Sequence, residues 1–143
     1  IIPQILTNDS EGFVDTTYKL EAMGYKEVNF NLGCPSRTVV SKNRGSGFLV
    51  KREELDRFLD DIFKGSKMKI SIKTRIGRDN PEEFYELIKI YNKYPLEELI
   101  IHPRTQKDYS GHRSRWKAQP RKAESLFLQS TLWISSRSCL TSL

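Results

Sequence analysis

Apolar and polar positions alternate in two different periods along the first 111 residues of the chain. Short runs of period two read as strands, and longer runs with one apolar stripe read as helices. Ile1 to Leu6 reads as a strand. Asn8, Asp9 and Ser10 offer helix N-caps, and a helix follows to about Met23, ended by Gly24. Glu27 to Leu32 is a second strand, with Val28, Phe30 and Leu32 on one side and Asn29 and Asn31 on the other. A loop through Arg44-Gly45-Ser46-Gly47 leads to a helix with the stripe Leu55, Phe58, Leu59, Ile62 and Phe63, closed by Gly65. Lys69 to Arg75 is a third strand. Asp79-Asn80-Pro81 caps a helix with the stripe Phe84, Leu87, Ile88 and Tyr91, and Glu98 to His102 is a fourth strand.

Strands separated by single helices at this spacing predict parallel βα units. Each strand carries polar residues at or just past its C-terminal end: Gln4; Asn31 with Cys34; Lys73 with Arg75; His102 with Arg104. In a parallel α/β barrel these ends converge on one face, where active sites are built. A doubly wound sheet also gathers strand ends, but no Gly-rich dinucleotide fingerprint follows any strand here. The expectation is an α/β fold of TIM (β/α)8-barrel type, incomplete at about four βα units. It divides into a partial catalytic domain over 1–111 and an irregular tail over 112–143.

Past Gly111 the periodicity fails. The pieces Leu126-Phe127-Leu128 and Leu132-Trp133-Ile134 find no partner pattern, and the tail reads either as disordered or as a frame-shifted terminus. The net charge of +6 belongs mostly to this tail. Residues 1–111 hold 18 basic and 17 acidic side chains, whereas 112–143 hold 6 basic and one acidic. The basic pI is therefore no argument that the main body binds nucleic acid. No apolar run is long enough to span a membrane. The opening Ile1-Ile2-Pro3 has no signal-peptide pattern and reads as a start inside a domain. Cys34 and Cys139 form neither a disulfide framework nor a metal site, so the expected home is a reducing cytoplasm.

Cys34 stands in Asn31-Leu32-Gly33-Cys34-Pro35-Ser36, at a turn after an unusually polar strand face. No His or Asp lies near it in sequence to make a thiolate nucleophile. An ordinary thiol keeps its proton at neutral pH, so a proton donor is as consistent as a nucleophile, and a small buried hydrophobe is the bland alternative. Lys73, on an inner strand face, can hold an anionic cofactor group or developing negative charge, unless it merely snorkels to the rim. His102 with Arg104 suggests anion binding. Gly45-Ser46-Gly47 reads equally as a weak phosphate loop or as a turn before the next helix.

Together these motifs resemble the tRNA-dihydrouridine synthase family. The resemblance rests on Gln4 in Pro-Gln-Ile-Leu, Asn31-Leu-Gly-Cys34-Pro-Ser, Arg44-Gly-Ser-Gly-Phe-Leu, Lys73-Thr-Arg75-Ile-Gly, and His102-Pro-Arg104-Thr105 with Tyr109-Ser-Gly111, and covers about residues 1–111. It implies an FMN-dependent TIM-barrel oxidoreductase that reduces chosen uridines of tRNA, with NADPH as reductant. By that likeness Cys34 is the catalytic proton donor. Gln4, Lys73 and His102 contact FMN, and Asn31 orients the base or flavin. Arg75 is a further substrate-site candidate. Arg37, Lys42 and Arg44 flank the cysteine loop as candidate tRNA phosphate contacts, with solvated surface charge as the alternative.

The resemblance also implies parts not found in these residues: an opening flavin-contacting strand, Gly-rich FMN-phosphate segments and a helical C-terminal tRNA-binding domain. The chain by itself is accordingly expected to be inactive and to bind FMN weakly. Two rival readings remain. One is another FMN barrel acting on free pyrimidines, such as a dihydroorotate or dihydropyrimidine dehydrogenase. The other is a non-catalytic RNA-binding fragment that acts through its basic tail.

Overall fold

The computed structural model describes residues 1–109 and 131–134. Five strands form one parallel sheet in the order β1-β2-β3-β4-β5: Gln4–Ile5, Glu27–Leu32, Lys69–Gly77, Glu98–Thr105 and Thr131–Ile134. The helices are α1 (Ser10–Ala22), α2 (Arg37–Val40), α3 (Arg52–Gly65) and α4 (Phe84–Tyr91). Every strand neighbours the next in sequence, with no reversal of direction across the sheet. A doubly wound sheet needs such a reversal. Sequential right-handed crossovers instead put their helices on one face.

That face is the apolar one. Val28, Phe30, Leu32, Ile70, Ile72, Leu99 and Ile101 are each no more than 1% exposed. Phe13 of α1, the Leu55/Phe58/Leu59/Ile62 stripe of α3 and Leu87/Ile88 of α4 are buried in the same core. Each large side chain so buried contributes about 1.5–3 kcal/mol. Phe30 stacks on Phe58 at 4.8 Å between ring centroids, and Phe13 meets Phe30 edge-on at 5.6 Å. Phe63 completes its stripe only at the margin, half-buried and stacked on Tyr94. The opposite face carries Glu27, Asn29, Asn31, Ser71, Lys73 and His102, as the period-two pattern requires.

Four differences from the sequence expectation have identifiable causes. The first strand shrinks to Gln4–Ile5: Pro3 has no N–H for the ladder, although its carbonyl accepts from Asn29 N at 2.8 Å. β3 and β4 run further than expected, to Gly77 and Thr105, past a register shift between Arg75 and Gly77. The segment read as a loop is partly helical, with α2 followed by a 3-10 turn over Gly45–Val50. Finally, the expectation of a tail without strands is corrected at Thr131–Ile134, which pairs with Glu98 through Ile101 of β4. Thr-Leu-Trp-Ile has strand propensity but no alternation, and its pairing with the edge of β4 is what marks it as a strand. The Ser110-Gly111 end of the last motif, His112, the Leu126-Phe127-Leu128 piece and Cys139 lie outside the described residues.

Candidate active site

The site is assembled at the C-terminal ends of the strands, on the polar face. Gln4, on β1, donates from Nε2 to Asn29 Oδ1 at 2.7 Å and accepts at Oε1 from Asn31 Nδ2 at 2.8 Å. Asn31 uses its other end on the turn that follows β2. Its Oδ1 accepts from Gly33 N at 2.9 Å and from Cys34 N at 3.0 Å. Two asparagines on one strand face, costly in a packed core, thus share the Gln4 amide as a hydrogen-bond partner. Through them β1 is connected to the cysteine turn.

Cys34 is half-buried at that turn, and its thiol is free. Its carbonyl accepts from Ser46 N at 3.0 Å and from Ser46 Oγ at 2.9 Å. Gly33 is held from the far side: Arg75 Nε donates to Gly33 O at 2.7 Å and Arg75 Nη1 to Thr105 O at 2.9 Å. Arg75 is only 8% exposed. A planar guanidinium with donors along two edges suits this bridging of two backbone carbonyls. Asp108 completes the end of β4 by accepting from Thr105 N and Thr105 Oγ1.

Lys73 lies opposite Asn31 in the β2–β3 register, exposed, and takes part in none of the ion pairs among the described residues. His102 lies opposite Arg75. Burial holds its imidazole below the ordinary histidine value of 6.5, and the positive charges of Arg75, Arg104 and Lys73 push it the same way. Positive charge therefore concentrates at this end of the sheet. That arrangement favours an anionic or electron-rich ligand.

The structure thus brings together Gln4, Asn31, Cys34, Lys73, Arg75 and His102. It places Arg37 and Arg44 differently, on the segment beyond the cysteine. Arg37 is exposed at the start of α2, while Arg44 Nε donates to Asn8 Oδ1 at 3.0 Å. Asn8 Nδ2 in turn donates to Lys42 O, pinning this loop to the start of α1. Sequence reasoning did not single out Ser46 for this site. The signal was present in Gly45-Ser46-Gly47-Phe48: small residues where two backbones meet, followed by a large apolar anchor.

Residues 1–119 match the family model described as "Dihydrouridine synthase (Dus)". The chain belongs to the dihydrouridine synthase family. It is 30% identical over 117 residues to a Staphylococcus aureus protein named "Probable tRNA-dihydrouridine synthase", covering 82% of this chain and 35% of that protein. It is 28% identical over 120 residues to "Probable tRNA-dihydrouridine synthase 2" of Bacillus subtilis, covering 84% of this chain and 37% of the relative. The chain therefore spans about a third of the length of the curated relatives it matches. The family match runs past Gly111, the point where strand and helix periodicity fades.

Proposed function

We propose that the protein acts in the reduction of uridine to 5,6-dihydrouridine in tRNA, as an FMN-dependent oxidoreductase of TIM-barrel architecture with NADPH as reductant. The observation that carries this reading is the Asn31 amide. It orients the backbone of Cys34 with one end and reaches the strand-end Gln4 with the other, and it faces Lys73 across the register. The sequential parallel strand order is the one a (β/α)8 barrel uses.

The residues present suit a flavin. Lys73 is an exposed cation with no acid partner among the described residues, and Arg75, Arg104 and Lys73 all place positive charge on His102. Such a site is complementary to an anionic cofactor and to the negative charge of a reduced ring. Gln4, Lys73 and His102 would hold FMN, which when bound and reduced supplies a hydride to one carbon of the uracil 5,6 double bond. Cys34 gives its Sγ proton to the other carbon: the S–H bond breaks, a C–H bond forms and a thiolate remains. Asn31 and Arg75 fix the turn from which the thiol acts. A uracil inside folded tRNA cannot reach strand ends, so the base must leave its stack to enter. Arg37 and Arg44, on the flank of the cysteine loop, would meet backbone phosphates.

The test is to place the chain in a polypeptide of its relatives' full length, incubate it with FMN, NADPH and unmodified tRNA, and measure flavin absorbance and dihydrouridine. Dihydrouridine in tRNA is the expected product. Turnover of free uracil or dihydroorotate with tRNA untouched would overturn the reading in favour of a free-pyrimidine enzyme.

A further inference from the structure

We infer that Ser46 is a positioning residue for Cys34, setting where the thiol stands through a double hydrogen bond to the cysteine's own carbonyl. The inference rests on the proposed role of Cys34 and names a residue outside that role. Ser46 is 0% exposed, and both its N–H and its hydroxyl donate to the same acceptor, Cys34 O, at 3.0 and 2.9 Å. A carbonyl has two lone pairs, and this one commits two donors from a single residue twelve positions away.

The surrounding chain is built to bring Ser46 there. Gly45 has φ +54°, and a Cβ on it would stand 2.6 Å from Cys34 O and 3.0 Å from Cys34 Cβ. Only glycine allows the two backbones to approach this closely. Gly47 meets Val40 O in the same way, at 2.8 Å. On the other side, Phe48 and Leu49 are buried, and Phe48 packs edge-on against Phe58 at 5.5 Å. The 3-10 turn is thus nailed to the core by its apolar end while its serine clasps the cysteine. Asn31 fixes the N–H side of the turn and Arg75 fixes Gly33. Ser46 is what fixes the carbonyl side, and with it the peptide following Cys34.

The reactivity of the Cys34 thiol reads this role without needing catalysis. In a Cys139→Ser background, the rate of alkylation by iodoacetamide is followed across the neutral to alkaline range. Ser46→Ala should raise the limiting rate about threefold to tenfold, the factor one neutral hydrogen bond is worth, without moving the midpoint of the pH profile. Ser46→Thr, which keeps the hydroxyl, should return the rate toward wild type. Thr17→Val removes another buried hydroxyl, the one donating to Val14 O, and should leave Cys34 reactivity unchanged. An unchanged rate in Ser46→Ala, or an equal rise in Thr17→Val, overturns the assignment. In the unsubstituted protein the Ser46 amide should resist hydrogen exchange, because Cys34 O holds it; free exchange there overturns the assignment even if the alanine variant does not fold. Activity on tRNA is scored separately. Its loss without altered Cys34 reactivity counts against Ser46, whereas altered reactivity in a protein that never reduces uridine counts against the proposed reaction alone.

Discussion

Replacing Gly45 with alanine tests the contact on which the cysteine loop depends, and Gly24 supplies its control. Both glycines have positive φ, +54° at Gly45 and +93° at Gly24. A Cβ at Gly24 meets nothing within 4 Å, so Gly24→Ala carries only the backbone strain of a left-handed residue, about 1–2 kcal/mol. A Cβ at Gly45 meets Cys34 O at 2.6 Å, Val39 Cγ1 at 2.9 Å and Cys34 Cβ at 3.0 Å. Two of these atoms belong to the turn itself, which is tied to Asn31 and Arg75 and has little room to yield. Overpacking of this kind adds about 1–3 kcal/mol, so Gly45→Ala should cost about 2–5 kcal/mol in all. Urea unfolding of the two variants, compared at equal slope, measures the difference. The alanine at Gly45 should unfold at clearly lower urea and expose Cys34 to faster alkylation. Equal midpoints for the two variants would refute the close approach of loop and turn.

In the polypeptide of full relative length, Cys34→Ala should lower dihydrouridine formation about 10²- to 10⁴-fold, the usual contribution of a positioned general acid, with flavin absorbance retained; full turnover would remove Cys34 from the chemistry. Arg75→Met replaces two charge-assisted bonds to backbone carbonyls and should cost about 3 kcal/mol or more in a denaturant melt; a shift within error would mean that the clamp holds nothing. His102 has a lowered pKa in the fold, so the unfolded chain takes its proton first. Stability is fully retained above the ordinary value of 6.5, falls as pH drops through it, and stops falling below the folded-state pKa. His102→Gln should flatten that part of the pH–stability curve, and an unchanged slope would count against the burial and surrounding positive charge that lower its pKa. Lys73→Met should weaken flavin retention through dialysis and raise the His102 pKa measured by NMR, because a repelling charge is lost.

Much of the architecture was legible because it depends on short-range patterning. Glu27–Leu32 forms the strand read from its alternation, and the stripes of α3 and α4 are buried where the 3.6-residue period placed them, apart from half-buried Phe63. α1 begins at Ser10, among the caps, and Gly24 follows its end at positive φ. Thr131–Ile134 was not legible, because its residues show no alternation and the strand is defined by pairing with the edge of β4. The extensions of β3 and β4 were hidden for a related reason: their ends are tied by Arg75, which reaches from β3 to Thr105 O, and by Asp108, which caps Thr105 from the following turn, not by propensity.

For the candidate site, the chemistry-bearing residue types were visible in the chain, while their division of labour was not. Polar residues at strand ends, a cysteine after a glycine turn and a lysine on the face of β3 turned away from the helices follow from sequence, because a parallel strand's period fixes which side chains share a face. Which of them touches which depends on register and loop path. Only the fold shows that Arg75 turns inward to bind Gly33 and Thr105 backbone, that Arg44 is drawn to Asn8, and that Ser46, twelve residues on, holds the Cys34 carbonyl. Periodicity is a local property of the chain and survives in the sequence. A hydrogen bond between residues 34 and 46 exists only once Gly45 and Phe48 have brought two distant backbones into contact.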